Sequence, residues 1–149
     1  MEQTLILIKP DAMQRGIAFE ILARLERRGL KLAGLRLLQV EQPMAERHYA
    51  EHEGKPFFAG LVSYITSSPI IAAVFEGTNA VSAARQTIGS TNPTESSPGT
   101  IRGDFGLEIG RNLIHGSDSV ESAEREIEIF FEGQPVIQWK KDTDKWIFE

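Results

Sequence analysis

Two uninterrupted apolar runs limit the folds that this chain can adopt. They are "TLILIK" at residues 4–9 and "PIIAAVFEG" at residues 69–77. A strand that is apolar on both faces has to be covered on both sides, so we predict that each run is a buried strand and that the first is central. Ile17, Ile21 and Leu25 recur every four residues between the runs, which indicates an amphipathic helix.

Turn and cap residues divide the rest of this half into short elements. Pro10 is well placed to open the first helix, and Gly29 is well placed to end it. The next segment alternates like a strand, with a phase shift near Gly34 that suggests a β-bulge. Asn79 is a plausible cap for a later helix. We predict a strand at residues 30–40, short helices at 45–54 and 56–68, and a third helix at 79–89.

Residues 88–112 show no periodic pattern. "GSTNPTESSPGT" at residues 89–100 consists almost wholly of turn-forming residues. Loops longer than about 12–15 residues are uncommon in compact domains and are usually functional or disordered. This loop carries Arg102 and ends near Arg111, so it is a candidate for a functional role.

The stretch "NLIHGSDSVESAERE" holds one of the three histidines, His115. It predicts a short strand at Leu113–His115 and a helix from about Ser119. Asp118 and Glu121 have the spacing of a capping box, with Asp in place of the usual Ser or Thr.

Apolar side chains after His115 predict two packed segments. The last helix has an apolar face formed by Val120, Ala123, Ile127, Phe130 and Phe131. Glu126 falls at the edge of that face, so we predict that it is partly shielded from water. The tail "PVIQWKKDTDKWIFE" is predicted to be an arm whose large side chains need a surface to cover: Trp139, Trp146, Ile147 and Phe148.

The composition argues against several classes of function. The net charge of −5 gives no domain-wide basic surface, so no nucleic-acid partner is expected, although a local basic cleft stays open. The absence of cysteine excludes thiol chemistry and fits a cytoplasmic location. The apolar run Leu5–Ile8 is too short for a signal peptide, and no run approaches the roughly 20 apolar residues of a membrane span. We predict a single domain, 1–149.

The chain lacks the common sequence motifs of phosphate loops, dinucleotide-binding sites and helical zinc sites. The chain has neither a GxxxxGK[ST] phosphate loop nor a GxGxxG fingerprint. His48 and His52 in "HYAEH" have the i, i+4 spacing of a helical zinc pair. Glu51, however, stands fourth rather than second, as an HExxH motif would need. A solvated helix face is therefore the favoured interpretation of these histidines.

His115 permits two interpretations from the local sequence. A lone histidine is most often structural, and Glu126 would then bond to it for stability alone. Alternatively, the short strand fixes the ring, Gly116 leaves space beside it, and Glu126 holds one imidazole nitrogen while the other acts as a nucleophile. The sequence pattern alone leaves both interpretations open.

A phosphate site needs positive charge together with amide or hydroxyl donors. Such residues lie on or beside the long loop or at the end of a strand: Lys9, Arg85, Thr91, Arg102 and Asn112. The guanidinium fork of arginine suits bidentate phosphate contacts. Taken singly, each residue is as well explained as a scattered surface group. "PFF" at residues 56–58 offers an aromatic ring to a nucleobase, although two adjacent phenylalanines are more often core.

Five blocks carry a resemblance to a known family. They are "IKPDAMQRG" (8–16), "HYAEHEGKPFFAGLVSYITSSP" (48–69), "GSTNPTESSPGTIRGDF" (89–105), "GRNLIHGSDSVESAEREI" (110–127) and the terminal "WIFE". The N-x-x-H-G-S-D pattern in the fourth block is highly specific. With the blocks in order over essentially its full length, the chain resembles nucleoside diphosphate kinases.

The resemblance implies a reaction. A nucleoside triphosphate gives its γ-phosphate to His115, and the phosphohistidine passes it to a nucleoside diphosphate in a ping-pong sequence with broad base specificity. Mg²⁺ bridges the nucleotide phosphates, and no side chain is implied as a metal ligand. The competing hypothesis is a nucleotide-sensing module that binds without transfer. Only the kinase predicts a phosphoryl adduct on His115.

The resemblance also implies residue roles by position. The catalytic set is Lys9, Tyr49, Asn112, His115, Ser117 and Glu126. In this set, Glu126 orients His115 and Ser117 supports Glu126. The phosphates are held by Arg85, Thr91 and Arg102. The sugar hydroxyls contact Asn112 and Lys9. The base stacks on Phe57, with Leu61 and Ile109 completing an apolar slot.

The implied fold is α+β, a ferredoxin-like β-α-β-β-α-β sandwich with a four-stranded antiparallel sheet, extra helices and a long loop. In relatives the long loop packs at subunit contacts, here around Pro93. The expected assembly is a homo-oligomer, and the C-terminal arm favours a hexamer over a tetramer.

Overall fold

The computed structural model describes all 149 residues, and its centre is one antiparallel sheet. The strands are β1 (Glu2–Ile8), β2 (Lys31–Leu38), β3 (Ile70–Gly77) and β4 (Ile114–Gly116). Their order across the sheet is β2–β3–β1–β4, so β1 is interior and β2 is an edge. The predicted α+β fold with a four-stranded antiparallel sheet is confirmed, as is the central place of the first apolar run.

Helices cover both faces of the sheet. They are α1 (Pro10–Gln14), α2 (Ala18–Arg27), α3 (Gln42–His48), α4 (Phe58–Ile65), α5 (Ala80–Ile88), α6 (Ile101–Phe105) and α7 (Val120–Phe131). The two crossover helices, α2 and α5, pack with Ile6 and Ile8 on one face. The additional helices α3, α4 and α7 pack with Leu5 and Leu7 on the other. Successive residues of a strand face opposite sides, so double coverage requires the uninterrupted apolar run seen in β1.

The predicted bulge lies in β2, the strand expected at residues 30–40. Its pairing with β3 shifts register between Leu32 and Gly34. Glycine at this point also allows the ring of Phe131 to approach the strand, because a Cβ on Gly34 would lie 3.0 Å from that ring. The bulge therefore makes room for the last helix on the face that it covers.

The helical region that follows β1 is divided in two. Gly16 adopts φ +69 between α1 and α2, a conformation that glycine reaches without the steric cost of a Cβ. The helix predicted for 45–54 likewise ends early: α3 stops at His48, and a single 3-10 turn, Ala50–His52, follows it.

At two helices, the capping hydrogen bond is made by a residue other than the predicted one. Asn79 occupies the cap position of α5, but it has φ 51 and its side chain makes no capping bond. Instead, Oε1 of Glu2 accepts a 2.9 Å hydrogen bond from the backbone N–H of Val81. At α7 the cap is Ser119, whose hydroxyl accepts from the N–H of Ser122, so the proposed Asp118 capping box is wrong. The Ser119 hydroxyl reaches a free amide of the first turn, which is what a cap requires.

Residues 88–112 contain regular structure that the sequence pattern did not reveal. The helix α6 begins after Thr100, whose hydroxyl accepts a 3.0 Å hydrogen bond from the N–H of Gly103. Single 3-10 turns at Pro93–Glu95 and Ile109–Arg111 flank it. These elements are too short to produce a periodic pattern, and side-chain hydrogen bonds hold them in place.

The C-terminal arm covers only part of the surface expected of it. The indole N–H of Trp139 donates to the carbonyl of Leu32 at 2.9 Å, and Ile147 packs over Gly29. Trp146 is 78% exposed, so it does not cover a surface of this chain. No helix in the structure is both long enough and apolar enough to span a bilayer.

Candidate active site

A polar cleft of about 260 Å³ opens where β4, α3, α5 and α7 meet the long loop. Most of the predicted site residues line it: Lys9, Tyr49, Arg85, Thr91, Arg102, Asn112, His115 and Glu126. They come from elements spread along the chain, from the end of β1 to α7. The fold therefore brings together the residues that the sequence analysis assigned to phosphate binding and transfer.

His115 lies in β4, opposite Leu7 of the central strand, and α7 carries Glu126 to it. The Nε2 atom of His115 lies 3.0 Å from Oε2 of Glu126, although the oxygen is off the direction of the ring N–H bond. The hydroxyl of Ser117 donates to Oε1 of Glu126 at 2.7 Å, and it accepts from the N–H of Leu5 at 3.1 Å. Since Nε2 faces the carboxylate, Nδ1 is the nitrogen left for chemistry.

Glu126 is more deeply buried than its helical position predicted, at 4% exposure. Burial alone would raise its pKa, but the contacts with His115 and Ser117 outweigh it, and the net shift is downward. The group therefore stays a carboxylate. A buried carboxylate of this kind fixes the orientation of the imidazole and stabilises positive charge that develops on it.

His48 is buried, and the prediction that it lies on a solvated face is wrong. It is 5% exposed, and its ring meets that of His115 edge-on with centroids 5.1 Å apart. Burial, with the neighbouring His115, lowers its pKa to about 3, so it is neutral at ordinary pH. The available sequence signal was its spacing of three from Ala45, which is also buried and on the same helix.

Two arginines of the cleft, one buried and one exposed, donate hydrogen bonds to backbone carbonyls. Arg102 is 8% exposed, and its guanidinium donates to the carbonyls of Asn112 at 3.1 Å and Ile114 at 2.5 Å. Arg85 donates to the carbonyl of Gly116 at 3.3 Å. These acceptors carry no formal charge, so both arginines keep a net positive charge available to an anion.

Lys9 lies at the end of β1 and bonds to the loop. Its ammonium donates to Oδ1 of Asn112 at 2.8 Å, and the Asn112 amide donates in turn to the carbonyl of Thr91 at 3.0 Å. Burial, reinforced by the nearby Arg102, lowers the pKa of Lys9 to about 8. Burial and the charge of Glu126 raise the pKa of Tyr49 to about 12, so its phenol remains a donor.

The three residues predicted to bind the base lie outside this cleft. Phe57 is 50% exposed, Ile109 is 58% exposed, and Leu61 is half-buried. Phe58 packs against the core, so of the two adjacent phenylalanines only Phe57 is presented to solvent. His52 lines the cleft and also lies 5.2 Å from the Phe57 ring, so it joins the two regions.

The cleft also contains charged and polar side chains that sequence reasoning did not assign: Glu51, His52, Asp118, Ser122 and Arg125. Ser122 precedes Glu126 by four residues on α7, so its place in the cleft follows from the helical position of Glu126. The others lie beside assigned residues in the chain. Together, the geometry offers one imidazole nitrogen at the floor of a cationic cleft, an arrangement suited to attack on a bound phosphate.

Comparison with known proteins agrees with this geometry. The sequence model of the family described as nucleoside diphosphate kinase matches residues 2–136. A nucleoside diphosphate kinase of Archaeoglobus fulgidus is 53% identical over 149 residues, covering 100% of this chain and 99% of its own. One from Gloeobacter violaceus is 56% identical, with 100% of both chains covered.

Solved structures show the same fold. A nucleoside diphosphate kinase family protein from Babesia bovis superposes with a TM-score of 0.96 at 40% identity, covering 99% of this chain and 100% of its own. A halophilic nucleoside diphosphate kinase from Halobacterium salinarum, in complex with CDP, gives 0.95 at 47% identity, with 99% of both chains covered. By sequence, fold and the order of its blocks, this chain belongs to the nucleoside diphosphate kinase family.

Proposed function

We propose that this chain transfers the γ-phosphate of a nucleoside triphosphate to a nucleoside diphosphate through a phosphohistidine on Nδ1 of His115. One observation carries the proposal: the Nε2 atom of His115 faces the buried Glu126 on the floor of a cleft lined with cationic groups. The family supplies the ping-pong reaction, and the geometry supports the choice of Nδ1.

In the first half-reaction, the lone pair of Nδ1 forms a bond to the γ-phosphorus. The bond from that phosphorus to the bridging oxygen breaks, and the nucleoside diphosphate leaves with the electron pair. Positive charge develops on the imidazole, and the carboxylate of Glu126 stabilises it through Nε2–H. In the second half-reaction, a β-phosphate oxygen of another nucleoside diphosphate forms a bond to the phosphorus. The bond from Nδ1 to the phosphorus breaks, its electron pair returns to Nδ1, and the neutral imidazole is restored.

The protein contributes mainly position and charge to such a transfer. Arg85 and Arg102 are held by backbone carbonyls before any nucleotide arrives, so their charges need little reorganisation. Lys9 and the phenol of Tyr49 add donors near the transferred phosphoryl group. Thr91 adds a further phosphate contact, and Asn112 with Lys9 contacts the sugar hydroxyls.

We infer that Mg²⁺ arrives with the nucleotide. The phosphate-facing side chains are the cations Lys9, Arg85 and Arg102, which repel a metal ion. Glu126 is already engaged by His115 and Ser117. As the family resemblance implies, we propose that the phosphates themselves are the main oxygen donors to Mg²⁺, which would there reduce the charge of the reacting group.

Broad base specificity is consistent with an open stacking surface. Phe57, Leu61 and Ile109 offer aromatic and aliphatic contacts, and stacking tolerates any base because every base has a π-face. The Halobacterium salinarum relative was solved with CDP, a pyrimidine nucleotide. We expect purine and pyrimidine nucleotides to be accepted alike.

The decisive experiment is labelling with γ-labelled ATP in the presence of Mg²⁺. We expect an acid-labile, base-stable adduct on the wild type and none on His115→Ala. His52→Gln, which alters another histidine of the cleft, should still carry the acid-labile adduct, and this control shows that His52 is not the labelled residue. Equal labelling of wild type and His115→Ala would refute the histidine mechanism, and binding without any label would favour a nucleotide-sensing module.

We also propose a homo-oligomer, with a hexamer favoured over a tetramer. The edge strand β2 bonds to the C-terminal arm at Leu32 and Ala33, and farther along it Leu35 and Leu37 are 50% and 68% exposed. Phe19 of α2 is 70% exposed as well. An apolar open edge favours pairing with another copy, and the C-terminal arm favours the larger assembly. Sedimentation analysis of the purified chain distinguishes the two assemblies.

The remaining assignments concern the whole chain. We propose that residues 1–149 act as one domain, because both faces of one sheet are packed by helices from along the whole sequence. We also propose a cytoplasmic location, where charged nucleotides are retained. Cell fractionation with a nucleotide-metabolism marker tests the location, and limited proteolysis tests the domain assignment.

A further inference from the structure

The backbone immediately before the nucleophile is strained. Leu113 has φ +76, which is rare for a residue with a side chain. The N–H of Ile114 donates to the carbonyl of Asn112 at 2.8 Å, so Leu113 is the central residue of a three-residue γ-turn. A γ-turn with positive φ is rare and strained, and such strain persists only where the surrounding structure enforces it.

The turn lies between the groups that act on the nucleotide. Asn112 is the first residue of the turn, and His115 comes two residues after its centre. The carbonyl of Leu113 accepts a 2.9 Å hydrogen bond from the N–H of Lys9. The conformation of Leu113 therefore sets the relative directions of Asn112, Lys9 and His115.

Asp11 holds this turn from outside the cleft. Its Oδ2 accepts a 3.1 Å hydrogen bond from the N–H of Leu113, across 102 positions of sequence. Its Oδ1 accepts a hydrogen bond from the hydroxyl of Tyr64 in α4. The guanidinium of Arg111 lies 4.6 Å from the centroid of the Tyr64 ring. Burial, together with the hydrogen bond to Asp11, raises the pKa of Tyr64, so its hydroxyl remains a donor.

We propose that Asp11 is a positioning residue for phosphoryl transfer, acting by locking the strained turn at Leu113 so that Nδ1 of His115 meets the bound phosphate. The proposal rests on the transfer through His115 proposed above. Asp11 touches neither the nucleotide cleft nor His115 directly. Its effect is on geometry, and a misplacement of about 1 Å in a reacting group costs on the order of 100-fold in rate.

Two variants test the contacts of Asp11, one by removing its carboxylate and the other by removing only the hydroxyl that bonds to it. Asp11→Ala removes both acceptors, and we expect kcat to fall roughly 10- to 100-fold while KM for the nucleotide changes little. Tyr64→Phe removes only the hydroxyl that aligns the carboxylate and keeps the aromatic ring beside Arg111. We expect a smaller loss of kcat, about three- to tenfold, with the melting temperature close to that of the wild type.

Gln14→Ala is the matched control. Gln14 lies on the same helix as Asp11, and its side chain also makes a long-range bond, to the hydroxyl of Ser68 at 2.9 Å, but it does not reach the turn. We expect this variant to lower the melting temperature without lowering kcat. A Tyr64→Phe variant with wild-type kcat, or a Gln14→Ala variant that loses as much kcat as Asp11→Ala, would overturn the positioning role.

The outcomes separate this inference from the proposed function. If the wild type takes no label on His115, the transfer mechanism fails whatever Asp11 does. If the wild type labels normally and the Asp11→Ala and Tyr64→Phe variants label at the wild-type rate, only the positioning role fails. Slow single-turnover labelling in these variants, with unchanged ADP affinity, supports both.

Discussion

The phosphate end of the cleft and the predicted base end differ in how they are built. At the phosphate end, Arg102, Asn112 and Glu126 are each less than a tenth exposed and are held by hydrogen bonds or ion contacts. At the base end, Phe57 and Ile109 are at least half exposed, and their apolar side chains face solvent. One end is fixed before the nucleotide arrives, and the other is an open surface.

This difference shows where the chain places its specificity. A transferring phosphate needs donors within a few tenths of an ångström of fixed positions, and that demands a buried, preorganised frame. A base that only stacks needs an apolar face and no particular partner. Changes at the phosphate end should therefore reduce rate strongly, whereas changes at the base end should weaken all nucleotides mildly and equally.

The largest effect is expected at Arg102. Arg102→Ala removes a fixed cation and leaves the carbonyls of Asn112 and Ile114 without their donor, so kcat/KM should fall about 100- to 1,000-fold. The melting temperature should fall as well. Steady-state kinetics and thermal unfolding measure both. Arg15→Ala removes an exposed arginine bonded to the carbonyl of Phe105 and should change neither by much; comparable losses there would argue against a special role for Arg102.

Glu126→Gln is expected to slow transfer while nucleotide affinity stays nearly intact. The neutral amide no longer stabilises the imidazolium that forms on His115, and the loss of a charged contact of this kind costs on the order of 10- to 100-fold in rate. Single-turnover labelling of His115 measures the rate, and ADP titration measures the affinity. A large loss of ADP affinity would show that Glu126 binds rather than orients.

The pKa of Lys9, lowered to about 8, predicts a pH effect confined to the phosphate end. The amino group of Lys9 binds phosphate well only when it is protonated, so KM for the nucleotide should rise as pH increases through about 8. The pKa of Lys9 in the folded chain lies below the ordinary lysine value of 10.5, so its charged form disfavours folding at lower pH. That penalty should disappear as pH rises between about 8 and 10.5.

KM measured from pH 6 to pH 10 shows whether this break exists. Lys9→Arg keeps its charge throughout that range, so it should bind less well overall but show no break near pH 8. A break that persists in Lys9→Arg would have to come from another group.

The smallest effect is expected at the base end. Phe57→Leu keeps an apolar side chain but loses stacking, so KM should rise about three- to tenfold. The rise should be similar for ADP and CDP, because stacking does not distinguish bases strongly. Parallel KM measurements with both nucleotides test this, and a loss confined to one of them would show that the base end does select.

The features that the sequence predicted correctly depend on residues that are close together in the chain. The apolar runs at 4–9 and 69–77 identified β1 and β3, because a doubly covered strand shows its burial in its own composition. The bulge near Gly34 was equally visible, as a phase shift in a single strand. The side-chain roles around His115 were inferred from family motifs, and the structure brings most of those residues into one cleft.

Errors arose where a distant residue decided the outcome. His48 was placed on a solvated face, but the β-sheet and α7 bury it against His115. Asn79 has the composition of a cap, but Glu2 from another element serves that amide instead. The helix α6 was missed because five residues are too few to show a period.

The sequence by itself determined the strands, the longer helices and the apolar faces that pack together, and its family motifs identified the block that contains His115. These features are local, since each is encoded by residues within one element. Only the tertiary structure decided which nitrogen of His115 faces Glu126, that His48 is neutral and buried, and that Asp11 holds the strained turn at Leu113. Each of these depends on contacts between residues distant in the chain, and those contacts exist only after the elements have packed.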